Sequence, residues 1–384
     1  MKEKMSHRER FLTAVKNQKP DRVPACPCLS NMVPAKRTGK PFWDVYLHNN
    51  PTLWKAYLEA ARYFDLDGRM IYGGMAFKYA ASDSAKLSTS TETLESNPEK
   101  IVTRTHFKTP FGELTEDTIY QVDNPPTVIG KPIKDLKRDF AAFKCLYPDP
   151  VAYDVSLANV IRKEAGEDAV FCLTVSYPGF HYFTDVFEGG LEGATYAFMD
   201  YPEMFEELRL LIHNNSVKKA AMMLEYKPDI LYLGGSGTLT LSTPDWVRQF
   251  TLPTIKEITR MAKQAGVPTM LHSCGKSRIL VDWFANETDL NCINPLELAP
   301  MGDCDLKEVK QALGKKIALS GNIHTTDVML NGTPQRVKEA CRKAIEDAGK
   351  DGGFILMTGD QCGRETPEAN LFAFVEAAKE FGRY

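Results

Sequence analysis

What this chain lacks narrows its class before any motif is read. No apolar run approaches the roughly 20 consecutive residues that a membrane-crossing helix needs. The richest, Ile230-Leu231-Tyr232-Leu233, ends at Gly234. The amino end, MKEKMSHRERF, is charged and has no apolar core of the kind a secretion signal carries, so a cytoplasmic protein with no membrane partner is expected. Blocks of like charge are also missing: 47 Lys and Arg against 50 Asp and Glu leave a net charge of -3, which argues against a nucleic-acid partner. Cysteine is neither dense nor even in number. Nine thiols scattered over 384 residues do not make a disulfide framework, so each is either a small buried residue or a ligand or nucleophile. The turn Gly234-Gly235-Ser236-Gly237 matches neither the dinucleotide fingerprint nor a P-loop, and reads as room for a close ligand.

What is present is an ordinary globular composition, 43% apolar and 25% charged, which can bury a core. Short runs rich in Val, Ile, Leu and Phe alternate with longer amphipathic stretches, the pattern of β-α units around a parallel sheet. Strands are expected at Val23–Ser30, Gly68–Tyr72, Ala169–Ser176, Ile230–Gly234, Pro268–His272, Leu290–Asn294, Lys316–Ser320 and Gly353–Met357. Helical patterns lie between them, among them Pro202–Tyr226, Pro244–Gln264 and Pro334–Ala348. Eight such units favour a closed (β/α)8 TIM barrel, an α/β fold in a single domain over 1–384. The spacing breaks once, at 74–167, between the second and third strands. That insertion contains a hairpin, Val102–Phe107 and Leu114–Tyr120 around a TPFGE turn, then the polar DNPPTVIGKP and two helical patterns. It is either a decoration of the barrel rim or a lid or docking surface.

Barrel enzymes carry their chemistry just past the carboxyl ends of the strands. After the fifth expected strand comes Leu271-His272-Ser273-Cys274-Gly275, and residues two apart in an extended segment project to the same side. After the eighth comes Thr358-Gly359-Asp360-Gln361-Cys362-Gly363, which brings a second thiol to the same rim. His272, Cys274 and Cys362 with an open fourth position make a catalytic zinc pattern, in which thiolate and imidazole select zinc over magnesium or calcium. The competing reading is that the thiols are buried packing residues and the histidine a structural one. Cys172, Cys292 and Cys341 lie inside apolar patterns where packing is the better reading, and Cys26 and Cys28, which could face the barrel interior, are read as structural.

The segments SHRERFLTAVKNQKPDRVP, PDILYLGGSGTLTLSTPDWVRQFTLPTIKEI, VPTMLHSCGKS, INPLE, IALSGNI and TGDQCGRETPEANLFAF together resemble the uroporphyrinogen decarboxylase superfamily over nearly the whole chain. The resemblance implies a (β/α)8 barrel and one of two activities, the decarboxylase itself or a zinc- and cobalamin-dependent methyltransferase. The residues lean toward the second. Where the decarboxylase branch carries Arg-Gln-Ala-Gly-Arg after its first strand to hold substrate carboxylates, this chain reads CPCLSNMVPAKRTGK. The decarboxylase's Asp after the second strand is replaced by the Gly73-Gly74 region, its Tyr after the third falls near Asp185, and its late Gly-His-Gly is replaced by Asp360-Gln361-Cys362.

The stretch Ser176-Tyr177-Pro178-Gly179-Phe180-His181-Tyr182-Phe183 is aromatic for a loop at an active-site rim. It reads either as packing between barrel and helix or as a slot for a flat ring, with Tyr177 or His181 bonding a phenolic substituent and Phe180 and Tyr182 as walls. Glu297 is a candidate fourth zinc ligand or acid near a leaving oxygen, or else a carboxylate tying loops together. Asn322 and His324 could orient substrate or cobalamin, or cap and brace a loop. The expectation is then a zinc-dependent methyltransferase that moves a methyl group from a methoxylated, aromatic substrate to the Co(I) of a separate corrinoid-binding protein. The chain has no DxHxxG corrinoid segment, so cobalamin would come on the partner. Three other readings stay open: methylation of a thiol of the coenzyme M type from a methyl-corrinoid, decarboxylation, and a non-catalytic binding barrel. A homodimer is only the superfamily habit.

Overall fold

The computed structural model describes residues 4–384. Seven strands form one parallel sheet in the order Arg69–Tyr72, Ala169–Val175, Ile230–Gly234, Thr269–His272, Cys292–Asn294, Ala318–Ile323 and Phe354–Thr358. The eighth position, expected as a strand at Val23–Ser30, is filled without forming one. Cys26 N donates to Leu356 O at 2.9 Å and Leu356 N to Pro24 O at 2.9 Å, while on the other side Asp67 N donates to Ala25 O at 2.9 Å. Ala25 therefore bridges the last strand to the approach of the first and closes the barrel. Pro24 and Pro27 flank the bridge, and with no N–H to donate they stop a ladder from growing in either direction.

The strands read as continuous apolar runs because both faces are buried. Alternate residues divide between two cores. Ile71, Phe171, Leu173, Leu231, Leu271, Ile293, Leu319 and Leu356 pack outward under the helices. Cys26, Met70, Val170, Cys172, Ile230, Tyr232, Met270, Cys292, Ala318 and Ile355 fill the barrel. The helix His7–Val15 joins this interior core through Phe11, Ala14 and Val15, and its start is fixed by a reciprocal cap between Ser6 and Glu9. Helices Pro202–Tyr226 and Pro334–Ala348 stand where the pattern puts them. The pattern over Pro244–Gln264 is broken by a wide turn at Val247–Thr251 before the helix Leu252–Ala265. Pro253 is the cause, since it lacks the N–H that a regular helix would use there.

Between Arg69–Tyr72 and Ala169–Val175 stands a four-stranded antiparallel sheet, Ser88–Ser96, Lys100–Thr109, Gly112–Gln121 and Thr127–Gly130, with Phe107 opposite Leu114 across the expected hairpin. The helix Leu136–Lys144 follows, then Ser156–Ala165, whose Ala158, Ile161 and Ala165 belong to the barrel's outer core. Leu114, Ile133, Leu136, Phe140 and Phe143 of this segment form a second core with Phe180, Phe183, Phe205 and Phe250. Among the described residues no helix is long and apolar enough to cross a membrane.

Candidate active site

The strand Thr269–His272 ends with His272 beside Asn294 on the neighbouring strand. Ser273 N continues the ladder by donating to Asn294 O at 2.9 Å. The extended backbone thus sends His272 and Cys274 to one side, and Ser273 is buried on the other. At Gly275 the chain turns away with φ +76°, and a Cβ there would collide with Thr240 Oγ1. On the far side of the mouth, Thr358 closes the turn after the last strand by donating its hydroxyl to Asp360 O at 2.6 Å. Asp360 has φ +121°, which directs its carboxylate back over the barrel.

One donor atom each from His272, Cys274 and Asp360 lies within 4.8 Å of the other two. His272 Nδ1 is 2.9 Å from Asn294 Oδ1. That acceptor holds the tautomer with the proton on Nδ1 and leaves the Nε2 lone pair toward the cluster, 3.9 Å from Asp360 Oδ1. Asp360 Oδ1 is buried without any hydrogen-bond partner. Burial, with the Asp360 carboxylate beside it, pushes the Cys274 thiol up to about 11. Burial likewise raises Asp360, against the pull of His272. An oriented imidazole, a thiol resisting ionisation and an orphaned carboxylate oxygen are what a divalent cation would satisfy together, and the sulfur and nitrogen donors fit zinc.

The structure does not bring the other expected ligands into this group. Cys362 is fully buried, its N–H bonded to Cys28 O at 2.8 Å and its carbonyl accepting from Ser30 Oγ at 3.0 Å. Burial pushes its thiol up to about 12, with Cys28 adding to the rise. Glu297 accepts the Gly275 N–H through Oε2, and its own carbonyl accepts from Cys304 N at 3.0 Å, so it braces the loop that carries Cys274. Burial raises its carboxyl.

Beside the three donors opens a cavity of about 360 Å³. The aromatic stretch expected as a loop is in fact the helix Phe180–Val186, and helical spacing divides it. His181, Tyr182 and Asp185 face the cavity. Phe180 and Phe183 face away into the aromatic core, Phe180 stacked on Trp246 at 4.3 Å between ring centres, so Phe180 is no part of the cavity wall. Burial lowers His181 to about 3, which keeps its ring neutral at pH 7, and its Nδ1 has no partner. The Tyr182 hydroxyl bonds that of Tyr147 on the inserted segment. Asp185 is exposed, 3.9 Å from Lys131 Nζ. Tyr177 is buried behind the wall, its hydroxyl 3.0 Å from Thr238 Oγ1 in space that a side chain at Gly235 would block. Asn322 is buried at a strand end with its Nδ2 unpartnered, and lies outside this wall. His324 Nδ1 accepts from Asp327 N at 3.0 Å and Thr326 N at 3.2 Å, so it caps the turn that follows.

The sequence reading missed Asp360, Asn294 and most of the ring-bearing wall, which is Tyr57, Tyr72 and Tyr232, with Tyr72 and Tyr232 at 5.5 Å between ring centres. It also missed Arg69, on the first sheet strand, which lines the cavity while only 4% exposed. For Tyr72 the signal was there to use, since it is a polar-tipped ring at the carboxyl end of a barrel strand, whereas Tyr232 sits in the middle of its strand.

The profile of the uroporphyrinogen decarboxylase family matches residues 118–381, and the chain belongs to that family. It is 31% identical over 158 residues to a methylated-thiol–coenzyme M methyltransferase of Methanosarcina mazei, covering 40% of this chain and 39% of that one. It is 28% identical over 231 residues to a uroporphyrinogen decarboxylase of Chlorobium luteolum, covering 57% and 62%. A methylcobamide:CoM methyltransferase of Methanosarcina mazei is 28% identical over 169 residues, covering 43% and 46%. These matches span between about two fifths and three fifths of the relatives' own lengths. In three dimensions the chain resembles a methyltransferase from Methanosarcina mazei with a TM-score of 0.65 at 19% identity, over 98% of this chain and 99% of that one, which establishes the shared fold.

Proposed function

We propose that this chain is a corrinoid-dependent methyltransferase that takes a methyl group from a small methoxylated aromatic compound and delivers it to the Co(I) of a separate corrinoid-binding protein. The observation that carries the reading is the cluster of His272, Cys274 and Asp360 opening into a cavity walled by Tyr57, Tyr72, Tyr182 and Tyr232. Metal donors and a flat aromatic slot share one space. The zinc ion would be held by His272, Cys274 and a third donor from the turn Gly359–Cys362. The distances favour Asp360 for that place, and the preference of zinc for soft sulfur favours Cys362. Bound there, zinc supplies a Lewis acid for the oxygen that loses its methyl group.

The chain's own residues do the rest. Asn294 holds the imidazole of His272 in the tautomer that offers Nε2. Glu297, through the Gly275 N–H, fixes the loop that carries Cys274. His181, kept neutral by burial, lines the cavity as part of its aromatic wall, while its unpartnered Nδ1 is itself buried against the Gly179 turn. The four tyrosine rings narrow the slot and exclude water from the reacting ether.

A second reading, methyl transfer between a corrinoid and a small thiol, is favoured by the names of two of the relatives, a methylated-thiol–coenzyme M methyltransferase and a methylcobamide:CoM methyltransferase. There His272 and Cys274 would hold the ion that lowers the acceptor's thiol pKa. The two are separated by supplying the protein with a reduced corrinoid protein and aromatic methyl ethers in one set of assays, and methylcobalamin with small thiols in another. Methyl-Co(III) formed from an ether supports the first reading. S-methyl product alone, with no ether cleaved, replaces it with the second.

A further inference from the structure

We propose that Arg69 is the anion-binding group of this cavity, and that the small substrate therefore carries an oxyanion, a carboxylate or a sulfonate, in addition to the group that meets His272 and Asp360. Arg69 is 4% exposed and lines the cavity, and its Nε is buried with no hydrogen-bond partner. What surrounds it is neutral: Tyr57, whose ring lies 4.3 Å from the guanidinium carbon and whose hydroxyl it also bonds, the carbonyl of Ser30 at 3.4 Å from Nη2, the thiol of Cys28, which it bonds, and the thiol of Cys26. Among the described residues no carboxylate forms an ion pair with it. Asp67, two positions earlier, is fully committed to Arg10, Arg22 and His7.

A guanidinium taken out of water needs a compensating charge, and although Asp360 and Asp185 line the same cavity, the first lies toward His272 and the second toward Lys131, so neither is paired with this guanidinium. It is not available for neutralisation by losing its proton, as a lysine would be. The remaining source of charge is what enters the cavity. A planar fork with a free Nε–H matches the two oxygens of a carboxylate or sulfonate. The proposal deepens the methyltransferase reading by naming the charge of its substrate, and rests on that reading for the site's chemistry.

The test is calorimetric binding to the full-length protein as purified, with its zinc content measured. Two matched pairs serve as probes: 2-mercaptoethanesulfonate with 2-mercaptoethanol, and 4-methoxybenzoate with methoxybenzene. At least one anion is expected to bind tenfold or more tightly than its neutral counterpart, and which one does so distinguishes sulfonate from carboxylate. Arg69→Met should abolish that preference, keep its zinc and melt no lower than the wild type, because it removes an unmatched charge. Arg69→Lys should retain part of the preference. Equal binding of anion and neutral probe by the wild type, no binding of any probe at millimolar concentration, or an Arg69→Met protein that still prefers the anion overturns the proposal. So does a lower melting point in Arg69→Met, which assigns the side chain to structure. The wild-type comparison stands even if no variant folds. Methyl transfer to cob(I)alamin is read alongside: transfer without an anion preference sinks the Arg69 assignment alone, and preference without transfer sinks the methyltransferase reading alone.

Discussion

Two buried arginine environments, one around Asp67 and one around Arg69 two positions later, differ in one respect. Arg10 and Arg22, 0% and 2% exposed, meet the buried carboxylate of Asp67, Arg10 Nη1 at 2.6 Å from Oδ1. Arg10 also bonds Asp21 at 2.7 Å, and Asp67 accepts the Ala25 N–H at 2.9 Å, which pins the irregular segment that closes the barrel. Arg69, buried to the same degree, meets rings, thiols and a carbonyl. Charge that is matched inside the protein holds the fold, whereas charge left unmatched beside a cavity is held for something that arrives.

The sharpest way to break this contrast is Asp67→Asn. It removes the buried negative charge that Arg10 and Arg22 share and should cost about 3–5 kcal/mol in urea unfolding. Arg69→Met should cost nothing, and if the two variants lose similar stability the distinction between the sites fails. A second contrast lies within the cavity, between donors oriented by neighbours and the neighbours themselves. Asn294→Ala leaves every proposed ligand in place but frees the His272 ring, and should lower zinc affinity about 10–100-fold in a chelator competition. Glu297→Ala removes the acceptor for the Gly275 N–H and should cost about 1–3 kcal/mol, with Glu297→Gln milder because the amide oxygen still accepts.

The smallest expected effect concerns His7, at the edge of the Asp67 network. Asp65 and Asp67 hold its pKa raised from 6.5 to about 9. A raised basic pKa means that the folded state binds the proton more tightly, so this stabilisation is fully present below about pH 6.5 and is lost as the pH rises through about 9. Melting temperatures across that window should fall in the wild type and stay flatter in His7→Gln. A flat wild-type profile would remove His7 from the network's energetics.

The barrel strands were legible because two buried faces leave long apolar runs. Val23–Ser30 shares that composition but not the hydrogen bonds, since Pro24 and Pro27 cannot donate them. The edge strand Ser88–Ser96 was invisible for the opposite reason: it is exposed throughout, so no apolar alternation marks it. In the site, His272 and Cys274 could be paired from sequence because they sit two apart at a strand end. Asp360 could not, because its direction depends on a positive φ that no periodicity reveals. The aromatic stretch at 176–183 was conspicuous, but whether Phe180 lines a slot or a core turns on whether the backbone there is loop or helix. Arg69 was passed over because its partners, and their neutrality, come from distant segments.

The most direct measurement is zinc per chain in the purified protein, repeated on His272→Ala, Cys274→Ala, Asp360→Asn and Cys362→Ser. The account predicts close to one zinc in the wild type and its loss in both His272→Ala and Cys274→Ala, with the affected member of the last pair naming the third donor. Wild-type protein that binds no zinc, or zinc retained when both His272 and Cys274 are replaced, would contradict it.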